Sequence, residues 1–190
     1  MLFKDYLIPN DKEELLQCFY NEIVEDREYD RFGVKVEPGD VVVDCGANIG
    51  IFSHYALDKQ QASRVYSFEL DPYWFKYLHF NTFDNPNIHA HLGSVSPNEW
   101  NIQKIIETYN LPQIDFLKID IEGGEFGLIV DTPNEVLSKV NKMAIEIHMG
   151  SSNNGEWLLK MLDKLSENGF DIKLEWVHRD YDVAMLYVKK

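Results

Sequence analysis

The ten residues from position 41 to 50, VVVDCGANIG, constrain the fold of this chain more than any other stretch. Three β-branched apolar residues lead into an acid and a turn marked by Gly46 and Gly50, and a helical pattern starts at Ile51. This order predicts a buried strand that ends at a tight loop and continues as a helix. Ligands of open α/β sheets bind at such strand ends, and glycine lets the backbone turn there and approach a ligand closely.

The composition limits the number of domains and the kinds of partner. We expect one domain over residues 1–190, with an N-terminal helical cap region at 1–40 and the core at 41–190. The 32 acidic and 18 basic residues give a net charge of −14 without a basic run, so neither nucleic acid nor an anionic membrane is an expected partner. The N-terminus has no signal-peptide layout, and Cys18 and Cys45 indicate no disulfide framework. We therefore expect a cytoplasmic, reducing location.

Segments with strand and helix patterns alternate along the chain, after an amphipathic helix expected at residues 11–25. The polar stretch at residues 179–182 separates two final strands, and its length suits an antiparallel hairpin. The alternation predicts an α/β fold with a mostly parallel sheet and helices on both faces. The predicted strands cover residues 41–45, 64–70, 88–92, 114–120, 143–148, 170–177 and 183–188, and the helices between them lie near 49–60, from 71, at 98–109 and at 157–165.

The loop after the first strand lacks the pattern of a dinucleotide-binding turn. That pattern requires glycine at its first, third and sixth positions, and counting from Gly46 the third and sixth residues are Asn48 and Ile51. Asp44 would also repel a pyrophosphate, whereas it suits a ligand with positive charge such as S-adenosylmethionine, which carries an ammonium and a sulfonium. Glu69 ends the second strand, where an acid can accept hydrogen bonds from ribose hydroxyls.

Four segments carry a resemblance to a known family. Residues 44–50 (DCGANIG), 67–72 (SFELDP), 114–125 (IDFLKIDIEGGE) and 143–148 (MAIEIH) resemble the FkbM-type methyltransferases. The resemblance implies a class I methyltransferase fold, which is a Rossmann-like seven-stranded sheet of order 3-2-1-4-5-7-6 with the last strand antiparallel. It also implies S-adenosylmethionine as the methyl donor and a hydroxyl of a sugar or another small molecule as the acceptor. Gly124 stands where the family often has alanine.

The loop, the acid at the second strand end and the resemblance together predict the donor site. Leu70 lies in one of the resembling segments, and the resemblance implies that Ser94 is close to the adenine. Asp120 is expected to line the sulfonium pocket as an alternative to a role in proton transfer. The predicted donor-binding residues are Asp44, Gly46, Ala47, Asn48, Gly50, Glu69, Leu70, Ser94 and Asp120.

Acidic residues and a histidine follow two neighbouring strands of the predicted sheet. Asp120 and Glu122 lie at the end of the fourth strand, and Glu146 and His148 lie at the end of the fifth. Residues two apart in a strand face the same side, so Glu146 and His148 point together. An alcohol acceptor must lose its proton, and we expect His148 to be the base because imidazole titrates near neutrality. Asp120 and Glu122 are the other catalytic candidates, and a structural histidine is the alternative for His148.

Several alternatives remain open from the sequence. A divalent metal is not expected, although Asp120, Glu146 and His148 could bind one, with Glu122 beside them. The chain could methylate nitrogen, or it could use a methyltransferase fold for binding without catalysis. A nicotinamide-dependent oxidoreductase is a further alternative that the missing glycines disfavour. The sequence names neither the acceptor nor the oligomeric state.

Overall fold

The structure is a computed structural model that describes residues 2–3, 5–150, 154–178 and 182–190. Its strands form a short two-stranded antiparallel ladder and a seven-stranded sheet of order β5-β4-β3-β6-β7-β9-β8. The strands are β1 (Leu2–Phe3), β2 (Tyr6–Leu7), β3 (Val41–Cys45), β4 (Arg64–Glu69), β5 (Ile88–Leu92), β6 (Ile114–Ile119), β7 (Val140–His148), β8 (Asp171–His178) and β9 (Val183–Lys189).

The sheet confirms the predicted topology. Strands β3 to β7 pair in parallel, and β9 runs antiparallel to both β7 and β8. Numbered along the large sheet alone, this order is 3-2-1-4-5-7-6, as the resemblance implies. The predicted turn between the last two strands lies mostly at residues 179–181, which are outside the described residues. Because β3 to β7 are parallel, their carboxyl ends meet at one edge of the sheet.

Helices cover both faces of the sheet. On one face the helices α4 to α7 pack against side chains such as Val43 and Leu117, and on the other α2 and residues 29–36 pack against Val42 and Phe116. The helices are α1 (Glu13–Tyr20), α2 (Ile51–His54), α3 (Pro72–Thr82), α4 (Ile102–Thr108), α5 (Glu125–Val130), α6 (Asn134–Leu137) and α7 (Asn154–Glu167), with π-helical turns at Asn21–Glu25 and Tyr55–Lys59. No helix among the described residues is long and apolar enough to cross a membrane.

The differences from the predicted elements have simple causes. The strand β7 begins at Val140 instead of residue 143, because Asn141 and Lys142 interrupt its apolar pattern. The helices α5 and α6 are six and four residues long, which is too short for a visible helical period. In contrast, β3 and β5 have the predicted bounds, and Asp71 caps α3 by accepting a hydrogen bond from the Tyr73 amide at 2.8 Å.

Candidate active site

A cavity of about 430 Å³ opens at the carboxyl ends of the parallel strands. The strand-end loops form one side of the cavity, and residues of α1, the π-helical turn after it and the following segment form the other. Its lining includes Gly46, Ala47 and Asn48 after β3, Glu69, Leu70 and Asp71 after β4, Ser94 after β5, Asp120 and Glu122 after β6, Glu146 on β7, and Phe19, Glu22, Ile23, Glu28 and Tyr29 from the N-terminal part.

The turn after β3 is held in a conformation that needs glycine. Gly46 has a φ of +81°, and a Cβ at this position would lie 1.7 Å from the carbonyl oxygen of Asp120. The amides of Gly46 and Ala47 both donate to the carbonyl of Phe68 at 2.9 Å, so the turn is fixed to β4 as well. The sequence pattern thus produces a turn whose backbone fits tightly between two neighbouring strands.

Glu69 joins this turn to the second strand end. Its Oε2 accepts a hydrogen bond from the Asn48 amide at 2.8 Å, and its Oε1 accepts one from the Asp71 amide at 2.8 Å. Burial raises the pKa of Glu69, and the two amides oppose this rise. The carboxylate therefore lies in the cavity wall with its orientation fixed by two backbone donors.

Asp44 and Gly50 lie behind the cavity wall. Asp44 is fully buried, its Oδ2 accepts a hydrogen bond from Ser53 Oγ at 2.7 Å, and its Oδ1 lies 3.3 Å from Nζ of Lys118. Gly50 takes the N-cap position of α2 with a φ of +94° and is not part of the lining. Both residues were predicted to bind the donor, but neither of them lines the cavity. The other predicted donor-site residues, including Leu70 and Ser94, line the cavity.

Tyr29 connects two of the predicted acids. Its hydroxyl donates to Glu146 Oε2 at 2.9 Å and lies 3.3 Å from Asp120 Oδ2. Burial and the neighbouring charge of Asp120 raise the pKa of Glu146 to about 7. The charge of Asp120 thus makes ionisation of Glu146 less favourable.

His148 lies next to this pair but outside the cavity lining. Its Nδ1 is 2.5 Å from Oε1 of Glu125, which is fully buried, and its Nε2 is 3.4 Å from Glu122 Oε2 and 3.5 Å from Glu146 Oε1. The hydrogen bond to Glu125 raises the pKa of His148 to about 9. Glu122 has a φ of +57° and a side chain that is 84% exposed. The structure therefore brings the three acids and His148 together, with His148 charged at neutral pH.

This raised pKa predicts how the stability of the protein depends on pH. The pKa of His148 rises from about 6.5 to about 9 on folding, so its stabilisation is complete below pH 6.5 and is lost as the pH rises through 9. We expect the melting temperature to fall between pH 7.5 and 9.5, a range above the titration of Glu146 near 7. In His148→Gln this fall should be smaller. His79→Gln, at an exposed histidine, is the control, and equal slopes for all three proteins would contradict the assignment.

The same cluster has the donor set of a divalent-cation site. One ligand atom from each of Asp120, Glu146 and His148 lies within 4.8 Å of the others. Two carboxylate oxygens and an imidazole nitrogen suit several divalent metals. However, the Tyr29 hydroxyl already donates to Glu146 and lies 3.3 Å from Asp120 Oδ2, and Lys118 Nζ lies 3.4 Å from the same Asp120 oxygen. An added cation would have to compete with these contacts.

Three residues of the site were missed by sequence reasoning. Lys118 interrupts the apolar run at residues 116–119 of its strand, which is the signal that could have marked it. Glu125 lies within the segment that resembles the FkbM family, but nothing in its spacing points to His148. Tyr29 precedes the core in a segment without a periodic pattern and is 117 residues from Glu146 along the chain.

The sheet order, the glycine turn and the acid at the second strand end define the class I methyltransferase fold. Two family models match the chain: the methyltransferase FkbM domain over residues 91–172, and the TRM5/TYW2 methyltransferase domain over residues 16–118, which is more than half of the chain. The 31-O-demethyl-FK506 methyltransferase FkbM of Streptomyces tacrolimicus is 46% identical over 65 residues. The chain belongs to the methyltransferase family whose model matches more than half of it, and over residues 91–172 it is similar to the FkbM-type methyltransferases.

These similarities cover only part of the larger relatives. The match to the Streptomyces protein spans 34% of this chain and 25% of that protein. The crystal structure of methyltransferase FkbM from Methylobacillus flagellatus has a TM-score of 0.63 at 23% identity, and covers 85% of this chain and 47% of that one. Aeropyrum pernix fibrillarin in complex with S-adenosyl-L-methionine has a TM-score of 0.62 at 20% identity, over 89% of this chain and 76% of that one. Both structural similarities show a shared fold.

Proposed function

We propose that this protein transfers a methyl group from S-adenosylmethionine to a hydroxyl of a sugar or another small molecule. One observation carries the proposal: a single cavity joins the turn at residues 46–48 and Glu69 to the pair formed by Asp120 and Glu146. The first half has the features of a donor site, and the second half has groups that can accept a proton. The fibrillarin structure with bound S-adenosyl-L-methionine supports the choice of donor.

The residues present fit this donor. The Glu69 carboxylate is held by the amides of Asn48 and Asp71 and keeps acceptor capacity for ribose hydroxyls. The negative charge of Asp120 in the wall favours a ligand with positive charge. When bound, S-adenosylmethionine supplies a methyl group that is already activated by the sulfonium. The chain then mainly has to orient the acceptor and remove its proton.

We assign proton acceptance to Glu146. Its pKa of about 7 is close to the pH at which a general base is most effective, and it lines the cavity. The Tyr29 hydroxyl fixes the orientation of the carboxylate. His148, the base favoured by the sequence, has a pKa of about 9 and holds its proton at neutral pH. We assign to it the stabilisation of the negative charge on Glu146, and we keep Asp120 as the second candidate for the base.

The charges in the wall favour a neutral or cationic acceptor. A nucleic acid is the second candidate, since the TRM5/TYW2 model matches and fibrillarin has the same fold. Against it, the described lining has one ammonium, that of Lys118, and seven carboxylates, which would repel phosphates. The seven acids are Glu22, Glu28, Glu69, Asp71, Asp120, Glu122 and Glu146.

We expect the reaction to need no added divalent metal, because Tyr29 and Lys118 already contact the carboxylates that would bind it. Glu146 supplies the proton acceptor that a metal would otherwise replace. If activity is lost in EDTA and restored by Mg²⁺, the three residues Asp120, Glu146 and His148 bind a metal ion instead. The same assay distinguishes the two mechanisms without changing any residue.

A labelling experiment tests the proposed acceptor class. The protein is incubated with S-adenosylmethionine labelled in its methyl group and an extract that is separated into RNA, protein and small-molecule fractions. We expect the label in small molecules that pass through an anion-exchange column, and at least about 100-fold less label with Glu146→Gln. Label in the RNA fraction would support the second candidate, and a labelled product retained on the column would contradict the inferred charge of the acceptor.

A further inference from the structure

Lys118 is a charged residue in the centre of the sheet. It lies on β6 between Asp44 of β3 and Ala144 of β7 in the strand register, and only 2% of the residue is exposed. A lysine in such a position is rare, because the loss of hydration of its charge must be offset by partners of opposite charge. The contacts of its ammonium group therefore indicate why a lysine stands at this position.

The Lys118 ammonium joins two sides of the cavity. Its Nζ donates to the carbonyl oxygen of Gly46 at 2.7 Å, and lies 3.3 Å from Asp44 Oδ1 and 3.4 Å from Asp120 Oδ2. Gly46 belongs to the turn of the donor half, and Asp120 belongs to the acidic pair of the other half. The ammonium group thus donates to one carbonyl of the turn and forms ion pairs with two carboxylates.

The charge of Lys118 also reaches Glu146. Burial lowers the pKa of Lys118, but the charges of Asp44, Asp120 and Glu146 outweigh this effect and raise it above its ordinary value. The groups that face Glu146 are Tyr29 from the N-terminal segment, Lys118 from β6, Asp120 directly after β6, and His148 from β7 itself. Lys118 and His148 are the two cations in this set. Removal of Lys118 therefore leaves His148 as the one positive charge of the set beside Asp120 and Glu146.

We propose that Lys118 is a positioning residue that fixes the donor turn through Gly46 and holds Asp120 in place beside Glu146. The proposal rests on the proposed function, because it assigns roles to the two halves of the same cavity. It adds that the two halves are coupled: the ammonium that shapes the donor turn also pairs with Asp120, and its charge lowers the pKa of Glu146. A lysine that only filled the core would have no such effect on titration.

The test compares Lys118→Met and Lys118→Arg with the wild type. Lys142→Met is the matched control, because Lys142 lies on the neighbouring strand and pairs with Asp40 at 2.9 Å, away from the cavity. Calorimetry measures the affinity for S-adenosylhomocysteine, and ¹³C NMR of labelled glutamate measures the titration of Glu146. We expect Lys118→Met to bind at least about tenfold more weakly and to titrate at a pH higher by about one unit. In Lys118→Arg, Glu146 should titrate as in the wild type. Lys142→Met should have the wild-type affinity and the wild-type titration of Glu146.

The outcomes separate this proposal from the proposed function. If the wild type does not bind S-adenosylhomocysteine, the proposed function fails, and the titration of Glu146 alone decides the role of Lys118. If Lys118→Met binds and titrates like the wild type, the role of Lys118 is wrong. If Lys118→Met does not fold, the double variant with Asp44→Asn removes the buried pair together, which is less costly than removing one partner. Binding by that double variant at wild-type affinity would also overturn the proposal.

Discussion

Gly46→Ala is expected to cause the largest loss of stability of any glycine-to-alanine change in this chain. The new Cβ would lie 1.7 Å from the carbonyl oxygen of Asp120, a backbone atom that cannot rotate away, and the φ of +81° adds further strain. We expect the free energy of unfolding to fall by about 4 kcal/mol or more, which is a large part of the stability of a typical domain. Thermal denaturation measures this as a decrease of roughly 10 °C.

Gly39→Ala is the matched control for this variant. Gly39 has a similar φ of +91°, but nothing lies within 4 Å of the Cβ position. Its replacement therefore adds the backbone strain alone, which costs about 1 kcal/mol. Equal melting temperatures for the two variants would show that the turn after β3 is not packed against β6 in the way described.

Glu69→Gln is expected to have the largest effect on donor binding. Both carboxylate oxygens of Glu69 accept a backbone N–H, so an amide at this position would direct an NH₂ group at Asn48 or Asp71. The change would also weaken the acceptor that we assign to the ribose hydroxyls. We expect the affinity for S-adenosylhomocysteine to decrease by about 30-fold, which corresponds to roughly 2 kcal/mol for hydrogen bonds to a charged group.

Asp115→Asn is the control for this loss of a charged acceptor. Asp115 accepts a hydrogen bond from the Val41 amide at 2.9 Å, at the opposite end of β3 from the cavity. Both variants remove a carboxylate that holds a strand end, but only Glu69 lines the cavity. If Glu69→Gln and the wild type bind S-adenosylhomocysteine with equal affinity, Glu69 does not bind the donor.

The fold was predictable because its strands are short apolar runs bounded by turns. The bounds of β3 and β5 follow from this pattern directly. Periodicity alone does not give the order of the strands, which came from the resemblance. Helices α5 and α6 were not predictable because they contain fewer than two full helical turns.

Site residues that directly follow a strand were predictable from the sequence. Residues whose role depends on contacts between side chains across the sheet were less predictable. The turn at residues 46–48 and Glu69 lie in the cavity wall as the pattern indicated. Asp44 was assigned to the ligand because an acid at the end of a strand suits a ligand with positive charge. In the structure it faces Lys118 and is fully buried. The effect of Glu125 on His148 could not be inferred either, because it depends on a distance of 2.5 Å between two side chains.

The most direct test of the central claim is calorimetric titration of the wild-type protein with S-adenosylhomocysteine. A donor site in the described cavity predicts binding of one ligand per chain, with a dissociation constant of about 1 μM to 1 mM. NADH, titrated under the same conditions, should give no binding, because the turn lacks the glycines of a dinucleotide site. The absence of binding at millimolar S-adenosylhomocysteine, or binding of NADH instead, would contradict the account.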